Sequence, residues 1–388
     1  MNRIYFDYNA TTPLSREVLD FYTKELAEYA NGSSLHQEGR EVSASIERAR
    51  QQIAQLVHCE PAELVFTSGG SESNNTVFNT MVALSKKRDN KLVVTTAIEH
   101  PCVLEASRRL EEQFGFEVIF LPVDGDGIVD MESYRKALER KPLLVSIMTA
   151  NNEIGTVQDI KALCAMAHEV GALFHTDAVQ AAGKIPVDFK DWNVDYATLS
   201  AHKIYGPKGV GALYVKAKTP IEPLIRGGHQ EHGLRAGTYN APAIAAFGYA
   251  AELAGKELAD YAAHTGRLRQ KLKDGLLKAV PSIRINGHDT QVLPNTLNVS
   301  FPGAEGEAIL LYLDLLGVAA STGSACASAS LDPSHVLMAT GLGPELAHGS
   351  IRFSFGKYNT EKEVDYVLEN FPSVIERLRK MSTVSYTD

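Results

Sequence analysis

A lysine set directly behind a serine and a histidine, in Ser200-Ala201-His202-Lys203, runs into the turn-rich stretch Ile204-Tyr205-Gly206-Pro207-Lys208-Gly209-Val210-Gly211. That order suits an amine that forms an imine with an aldehyde cofactor while its neighbours hold a phosphate, and Lys203 is the candidate amine. Alone, a lysine between a strand and a turn reads as a solvated charge. The glycines do not follow the G-x-x-x-x-G-K-[ST] order of a nucleotide phosphate loop. What turns the reading toward chemistry is a set of further polar segments, each placed just after a strand-like apolar run.

Thr67-Ser68-Gly69-Gly70-Ser71-Glu72-Ser73-Asn74-Asn75 follows one such run and enters a helical pattern. Small residues there leave helix N–H groups to bind an anion; the ordinary alternative makes Ser71 a helix N-cap. Glu99-His100-Pro101 follows a second run, where an imidazole can stack on an aromatic cofactor and shuttle protons near neutral pH. Asn151-Asn152-Glu153-Ile154-Gly155 follows a third and offers an amide to a ring oxygen or a substrate carboxylate, although Asn is also a common turn former. In His175-Thr176-Asp177-Ala178-Val179-Gln180, a carboxylate ends an apolar strand, which is costly unless something positive meets it. A protonated pyridine nitrogen would do so, and the pairing keeps a pyridoxal ring an electron sink. Gln180 can then donate to the ring's phenolic oxygen, while Asp177 as a helix N-cap is the ordinary alternative.

One thiol stands apart. Cys326 in Ser321-Thr322-Gly323-Ser324-Ala325-Cys326-Ala327-Ser328-Ala329-Ser330 has small neighbours and no large apolar anchor, which predicts an accessible sulfur and a candidate nucleophile. Cys102, two residues from His100, is a rival; ahead of the helical pattern Val103-Leu104-Glu105 it reads as packing. Cys164, in an apolar helical run, and Cys59, between a helix and Pro61, also read as structural. The four cysteines show no C-x-x-C spacing for a zinc site or redox pair, and in a reducing compartment they are expected as free thiols.

The elements that must position these groups are legible as alternation. Seven strand-length apolar runs, 63–66, 91–95, 117–121, 143–148, 172–176, 196–199 and 211–215, are separated by stretches with helical spacing such as Ile160 to Val170. That pattern predicts an α/β fold with a mostly parallel sheet covered by helices on both faces, whose ligands bind beyond the carboxyl ends of the strands. An alanine-rich helical region from about Ala241 to Ala279 ends the pattern. The runs 294–301 and 350–355 then read as strands of a smaller α+β domain. We place the large domain at 14–255 and the small domain at 1–13 and 256–388.

The 388 residues suggest two domains, and 44% hydrophobic with 22% charged residues is the balance of a globular chain. A formal net charge of -9 argues against a nucleic-acid surface, which needs a clustered basic face. The first twenty residues lack the apolar core of a secretory signal, and no stretch approaches the roughly 20 apolar residues of a membrane span. A cytoplasmic location is expected.

Taken together, Phe66-Thr67-Ser68-Gly69-Gly70-Ser71-Glu72-Ser73, Glu99-His100, Asn151-Asn152-Glu153-Ile154-Gly155, Asp177-Ala178-Val179-Gln180, Ser200-Ala201-His202-Lys203 and Gly227-Gly228-His229-Gln230-Glu231-His232-Gly233-Leu234-Arg235-Ala236-Gly237-Thr238 resemble, in that order, the cysteine desulfurases of the NifS/IscS type. The resemblance runs from Tyr5-Phe6-Asp7-Tyr8-Asn9-Ala10-Thr11-Thr12 to Tyr358-Asn359-Thr360. It implies a pyridoxal 5'-phosphate enzyme of fold type I (aspartate-aminotransferase-like), with a seven-stranded sheet in the large domain, built as a homodimer. It further implies that Lys203 carries the cofactor as an imine, His100 stacks on the ring, Asp177 pairs with the ring nitrogen and Gln180 meets the phenolic oxygen. Gly70, Ser71, Ser200 and His202 would hold the phosphate, with Thr238 supplied by the other subunit, and Asn152 and Arg352 would bind the substrate carboxylate.

The segment around Cys326 resembles group I desulfurases, which makes Cys326 the sulfur-accepting nucleophile and a candidate transient ligand of an iron–sulfur cluster; no other metal ligand is assigned. The implied reaction converts L-cysteine to L-alanine and hands sulfur to a protein acceptor such as an iron–sulfur scaffold. The alternatives are another lyase on the same cofactor, such as a selenocysteine lyase, which can work without a protein thiol, and a binding protein without chemistry. Gly70-Ser71 stands where Ala-Thr is frequent in the family, and both pairs can bind phosphate. The chain ends soon after Met381-Ser382, without the longer tail with which housekeeping desulfurases engage their scaffold, which leaves the acceptor open.

Overall fold

The computed structural model describes residues 3–322 and 332–381. Twelve strands are found among them: β1 Ile4–Tyr5, β2 Leu64–Thr67, β3 Leu92–Thr96, β4 Glu117–Leu121, β5 Leu144–Ser146, β6 Leu173–Asp177, β7 Tyr196–Ser200, β8 Gly211–Val215, β9 Arg284–Asn286, β10 Thr296–Ser300, β11 Val318–Ala319 and β12 Ser350–Ser354. Strands β2 to β8 form one seven-stranded sheet in the order β2-β8-β7-β6-β5-β3-β4. Its pairs are parallel except those of β8, which runs antiparallel to both β2 and β7. Every residue of β2, β3, β5, β7 and β8 is buried, because helices cover both faces. That is why these strands read as unbroken apolar runs rather than as alternating ones.

One face is packed by the helices Gln37–Val57, Ile160–Glu169 and the first part of Ala241–Ala279, and the other by Gly70–Arg88 and Pro101–Phe114. The expected strand positions hold to within about two residues. The parallel strands share a direction, so the segments after β3, β5, β6 and β7 emerge at one edge, and the start of Gly70–Arg88 joins them.

A second core lies around the antiparallel sheet β9-β10-β12 and the two-stranded pair β1-β11. The 39-residue helix Ala241–Ala279 serves both cores. Ala243, Ile244, Ala246, Phe247, Ala250 and Ala251 pack on the large sheet, whereas Leu268, Leu272 and Leu276, one face of the helix at intervals of four, are fully buried in the second core. Each leucine contributes about 1.5–3 kcal/mol by that burial. The chain therefore passes residue 256 inside a continuous helix rather than through a linker. Ile4 and Phe6 belong to the second core, and the residues after them leave it toward the large sheet.

Candidate active site

Beyond the carboxyl ends of the parallel strands lies a cavity of about 450 Å³ whose lining includes Gly70, Ser71, His100, Asn152, Asp177, Gln180, Ser200, His202, Lys203 and Arg352. Its size is that of a pocket for a cofactor or small ligand. Ten residues named from the sequence thus converge, although they span 70 to 352. Thr238 is exposed and lies outside the lining. Cys326 lies outside the described residues, so its place relative to the cavity is not given by them.

The helix Gly70–Arg88 opens at the cavity with Gly69 as its cap residue and no capping side chain. Ser71 is the second helical residue and not the N-cap, so the first-turn N–H groups keep the unsatisfied character of a helix start. The backbone reason is local: Gly69 has φ +153°, and a Cβ on Gly211 at the start of β8 would lie 2.6 Å from Leu199 O and 2.7 Å from Gly69 Cα. Only glycine at 211 permits that approach.

Asp177 closes β6. It caps no helix; instead Oδ1 accepts from the N–H of Val179 at 3.0 Å and Oδ2 accepts from Asn74 Nδ2 at 2.7 Å. Both oxygens are thus held by donors, which compensates a nearly buried carboxylate. Lys203, in the 3₁₀ turn after β7, donates from Nζ to the carbonyl oxygens of Asn9 and Ala10, the latter at 2.8 Å. His202 Nδ1 lies 3.1 Å from Thr11 Oγ1. Burial, and then the positive charges of Lys203, Lys208 and Lys184, push the His202 imidazole down to about 4, so it is neutral at physiological pH.

His100 is the N-cap of the helix Pro101–Phe114, and its side chain accepts from the N–H of Cys102 at 3.2 Å. Burial lowers its proton affinity, with Asp177 opposing and Lys203 and His335 adding to the effect. Arg352, on β12 and only 2% exposed, donates from Nη1 to Asn152 O at 2.9 Å and from Nη2 to Asp7 Oδ1 at 2.7 Å. The desolvated guanidinium is thus brought to the cavity wall by the second core and by the N-terminal segment.

Several residues that sequence reasoning passed over complete the wall. Asn9 and Ala10 line it, and Asn9 is a hub: its backbone oxygen accepts from Gln180 Nε2 at 3.0 Å, and Oδ1 accepts from Lys184 Nζ at 3.1 Å and Asn295 Nδ2 at 3.0 Å. Lys184, 1% exposed, also donates to Gln180 Oε1, which turns the Gln180 amide so that its nitrogen is the donor. Burial, with Lys203 and Arg352 nearby, holds Lys184 well below the ordinary lysine range. No local pattern announces Asn9. Asn74 could have been found, since it sits four residues after Gly70 and hence on the same helix face. Cys102, read as packing, is half-buried in the cavity wall.

The Gly227–Thr238 stretch is rooted by Glu231, which is 3% exposed. Its carboxylate accepts from Arg50 at 2.7 and 2.9 Å and from the N–H of Phe66 on β2 at 2.7 Å. Arg235 in the same stretch donates from Nε to Glu72 Oε1, in the first turn of Gly70–Arg88, at 3.0 Å. The segment carrying Thr238 is thereby fixed beside the helix start while Thr238 faces outward.

Among the described residues, no group of three or more His, Cys, Asp or Glu side chains is arranged to hold a metal ion, and no helix is long and apolar enough to cross a membrane.

Residues 4–367 match the family described as aminotransferase class-V. A cysteine desulfurase of Gluconacetobacter diazotrophicus is 46% identical over 387 residues, covering 98% of this chain and 96% of that protein. Cysteine desulfurase IscS of Dictyoglomus turgidum is 47% identical over 380 residues, with coverage of 98% and 96%. Among solved structures, a NifS-like protein aligns with a TM-score of 0.90 at 40% identity, covering 97% of this chain and all of that one. SspA in complex with cysteine aligns with a TM-score of 0.79 at 35% identity, covering 92% and 100%.

Proposed function

The chain belongs to the aminotransferase class-V family of pyridoxal-phosphate-dependent enzymes, and we propose that it is a cysteine desulfurase, converting L-cysteine to L-alanine and passing the sulfur to Cys326 as a persulfide. The observation that carries this reading is the meeting of an amine, a donor-held carboxylate, an imidazole, a desolvated guanidinium and an uncapped helix start in one cavity.

These residues fit pyridoxal 5'-phosphate. Lys203 would hold it at the aldehyde carbon, and the N–H groups at Gly70 and Ser71, with Ser200 and His202, would take the phosphate. Asp177 would pair with the ring nitrogen, Gln180 would donate from Nε2 to the phenolic oxygen, and His100 would pack on the ring. In a homodimer, Thr238 would complete the phosphate site of the second copy. When bound, the cofactor supplies an electron sink for negative charge at the substrate's α-carbon.

The rest of the work falls to the chain. Arg352 and Asn152 orient the substrate carboxylate; the guanidinium is desolvated before substrate arrives, so its charge acts with little reorganisation. The Lys203 amine is the base placed to remove the substrate's Cα proton at Nζ. His100, with Nδ1 occupied by the Cys102 N–H, serves the substrate through Nε2. The Cys326 thiolate attacks the substrate sulfur: an S–S bond forms, the Cβ–S bond breaks, and its electron pair stays with carbon, which is then protonated. L-cysteine and the Cys326 thiol thus give L-alanine and the Cys326 persulfide, with no external oxidant.

The persulfide then serves a protein acceptor, such as a scaffold for iron–sulfur assembly, in the cytoplasm. The test is incubation of the holoenzyme with L-cysteine, measuring alanine and protein-bound persulfide together. The two should appear in equal amounts in the first turnover; alanine without persulfide on Cys326 overturns the sulfur-transfer step.

A further inference from the structure

Asn74 and Cys102 lie between the carboxylate and the imidazole of the site. Asn74 is fully buried, and its Nδ2 has two acceptors for its two hydrogens, Asp177 Oδ2 at 2.7 Å and Cys102 Sγ at 3.2 Å. The amide orientation follows, since the flipped amide would set its oxygen against a carboxylate. Cys102 Sγ accepts from Asn74, has the Ser71 hydroxyl as a second donor and lies 3.0 Å from His100 Nδ1, which is the acceptor within reach of the thiol hydrogen. The same ring nitrogen accepts the backbone N–H of Cys102, the orphan donor that a helix N-cap satisfies. Nδ1 therefore meets two donors, and a neutral ring carries its hydrogen on Nε2. Burial, reinforced by Asp177, pushes the Cys102 thiol up to about 12, so the sulfur keeps the hydrogen it donates. Among the described residues, the charged or titratable groups acting on His100 include Asp177 at the end of β6, Lys203 after β7 and His335 in the helix His335–Ala339.

We propose that Asn74 and Cys102 are positioning residues, a one-way donor chain in which Asn74 holds Asp177 toward the cofactor nitrogen and, through the Cys102 sulfur, holds His100 as the Nε2–H tautomer. Its consequence rests on the desulfurase reading: His100 then addresses the substrate as a hydrogen donor, and taking up a second proton at Nδ1 requires it to give up the helix cap.

The test is nitrogen NMR on the holoenzyme labelled with 15N-histidine and free of L-cysteine, with the His100 signals identified by their loss in His100→Gln. The wild type should show an unprotonated Nδ1 and a protonated Nε2. Cys102→Ala removes one donor and should raise the proton affinity of His100 by a factor of roughly 2 to 10, the net worth of one hydrogen bond. Cys102→Ser, whose hydroxyl accepts and donates in the same places, should restore the wild-type titration. Asn74→Ala should weaken cofactor binding about tenfold through Asp177. A wild-type ring with Nδ1–H, or a His100 titration unchanged in both Cys102→Ala and Asn74→Ala, overturns the proposal. Because the spectra are read without substrate, failure to form alanine would sink the desulfurase reading and leave the tautomer result standing.

Discussion

Glu99 gives the sharpest test of how the site's buried charges are balanced. The side chain is fully buried next to His100. Oε1 accepts from the N–H of Met148 at 2.9 Å and from Thr96 Oγ1 at 2.7 Å, while Oε2 has no hydrogen-bond partner among the described residues. Burial, with Asp177 adding repulsion and the two donors partly opposing, pushes the carboxyl up to about 8. In the unfolded chain it ionises near 4.5.

Between those values the native state keeps a proton that the unfolded chain has released. Stability from this group is therefore present below pH 4.5 and is lost as pH rises toward 8, at about 1.4 kcal/mol per pH unit, or about 5 kcal/mol in all. Glu99→Gln keeps the shape and the Oε1 acceptor but cannot ionise. The assay is urea unfolding of wild type and variant at pH 5, 6, 7 and 8, followed by far-ultraviolet circular dichroism, with the difference between the two chains isolating Glu99. The variant should gain on the wild type by about 1 kcal/mol or more per unit, enough to see against the 5–15 kcal/mol stability typical of a domain. Parallel curves, differing by less than about 1 kcal/mol across the range, would mean that the native carboxyl is ionised and that the neutral-Glu99 argument is wrong.

Lys203→Ala should leave no cofactor attached after borohydride reduction and lower kcat at least 10²-fold, the usual worth of a positioned acid–base group; a label mapped to another lysine refutes the assignment. Arg352→Met removes two charge-assisted hydrogen bonds and should lower kcat/KM for L-cysteine roughly 10- to 100-fold, mainly through KM, and an unchanged KM would place the substrate carboxylate elsewhere. Mass spectrometry after one turnover should find the extra sulfur on Cys326 and none on Cys102, whose thiol is held protonated up to about 12 and is a poor nucleophile. His175, buried and pushed down to about 3, should make the fold progressively less stable as pH falls from 6.5 toward 3. His175→Gln should lessen that acid sensitivity in the same urea assay.

Local pattern was enough for the large sheet, because strands buried on both faces must be continuous apolar runs and their ends must be polar or glycine-rich. Asp177 and Ser200 stand directly after such runs, and His100, Asn152 and Lys203 within about five residues of one, so their types and places were legible, and family resemblance supplied roles that spacing alone left open. The helical region Ala241–Ala279 was visible too, though not that one helix serves two cores. Asn9, Lys184 and the Asp7–Arg352 pair were not legible. Asn9 meets Gln180 and Lys184 across 171 and 175 residues and Asp7 meets Arg352 across 345, and no local periodicity encodes a contact of that range.

The amino-acid order thus determined which groups arrive at the strand ends, since side-chain type and hydrophobic period are local properties. Tertiary structure alone decided which of them meet and in what state. Burial lowers His100 and Lys184 and raises Glu99 and Cys102, and the direction of the Asn74 amide depends on the acceptors packed against it, Asp177 at the end of β6 and Cys102 on the neighbouring helix. Those outcomes follow from desolvation and donor geometry, which exist only once distant segments have closed around the cavity.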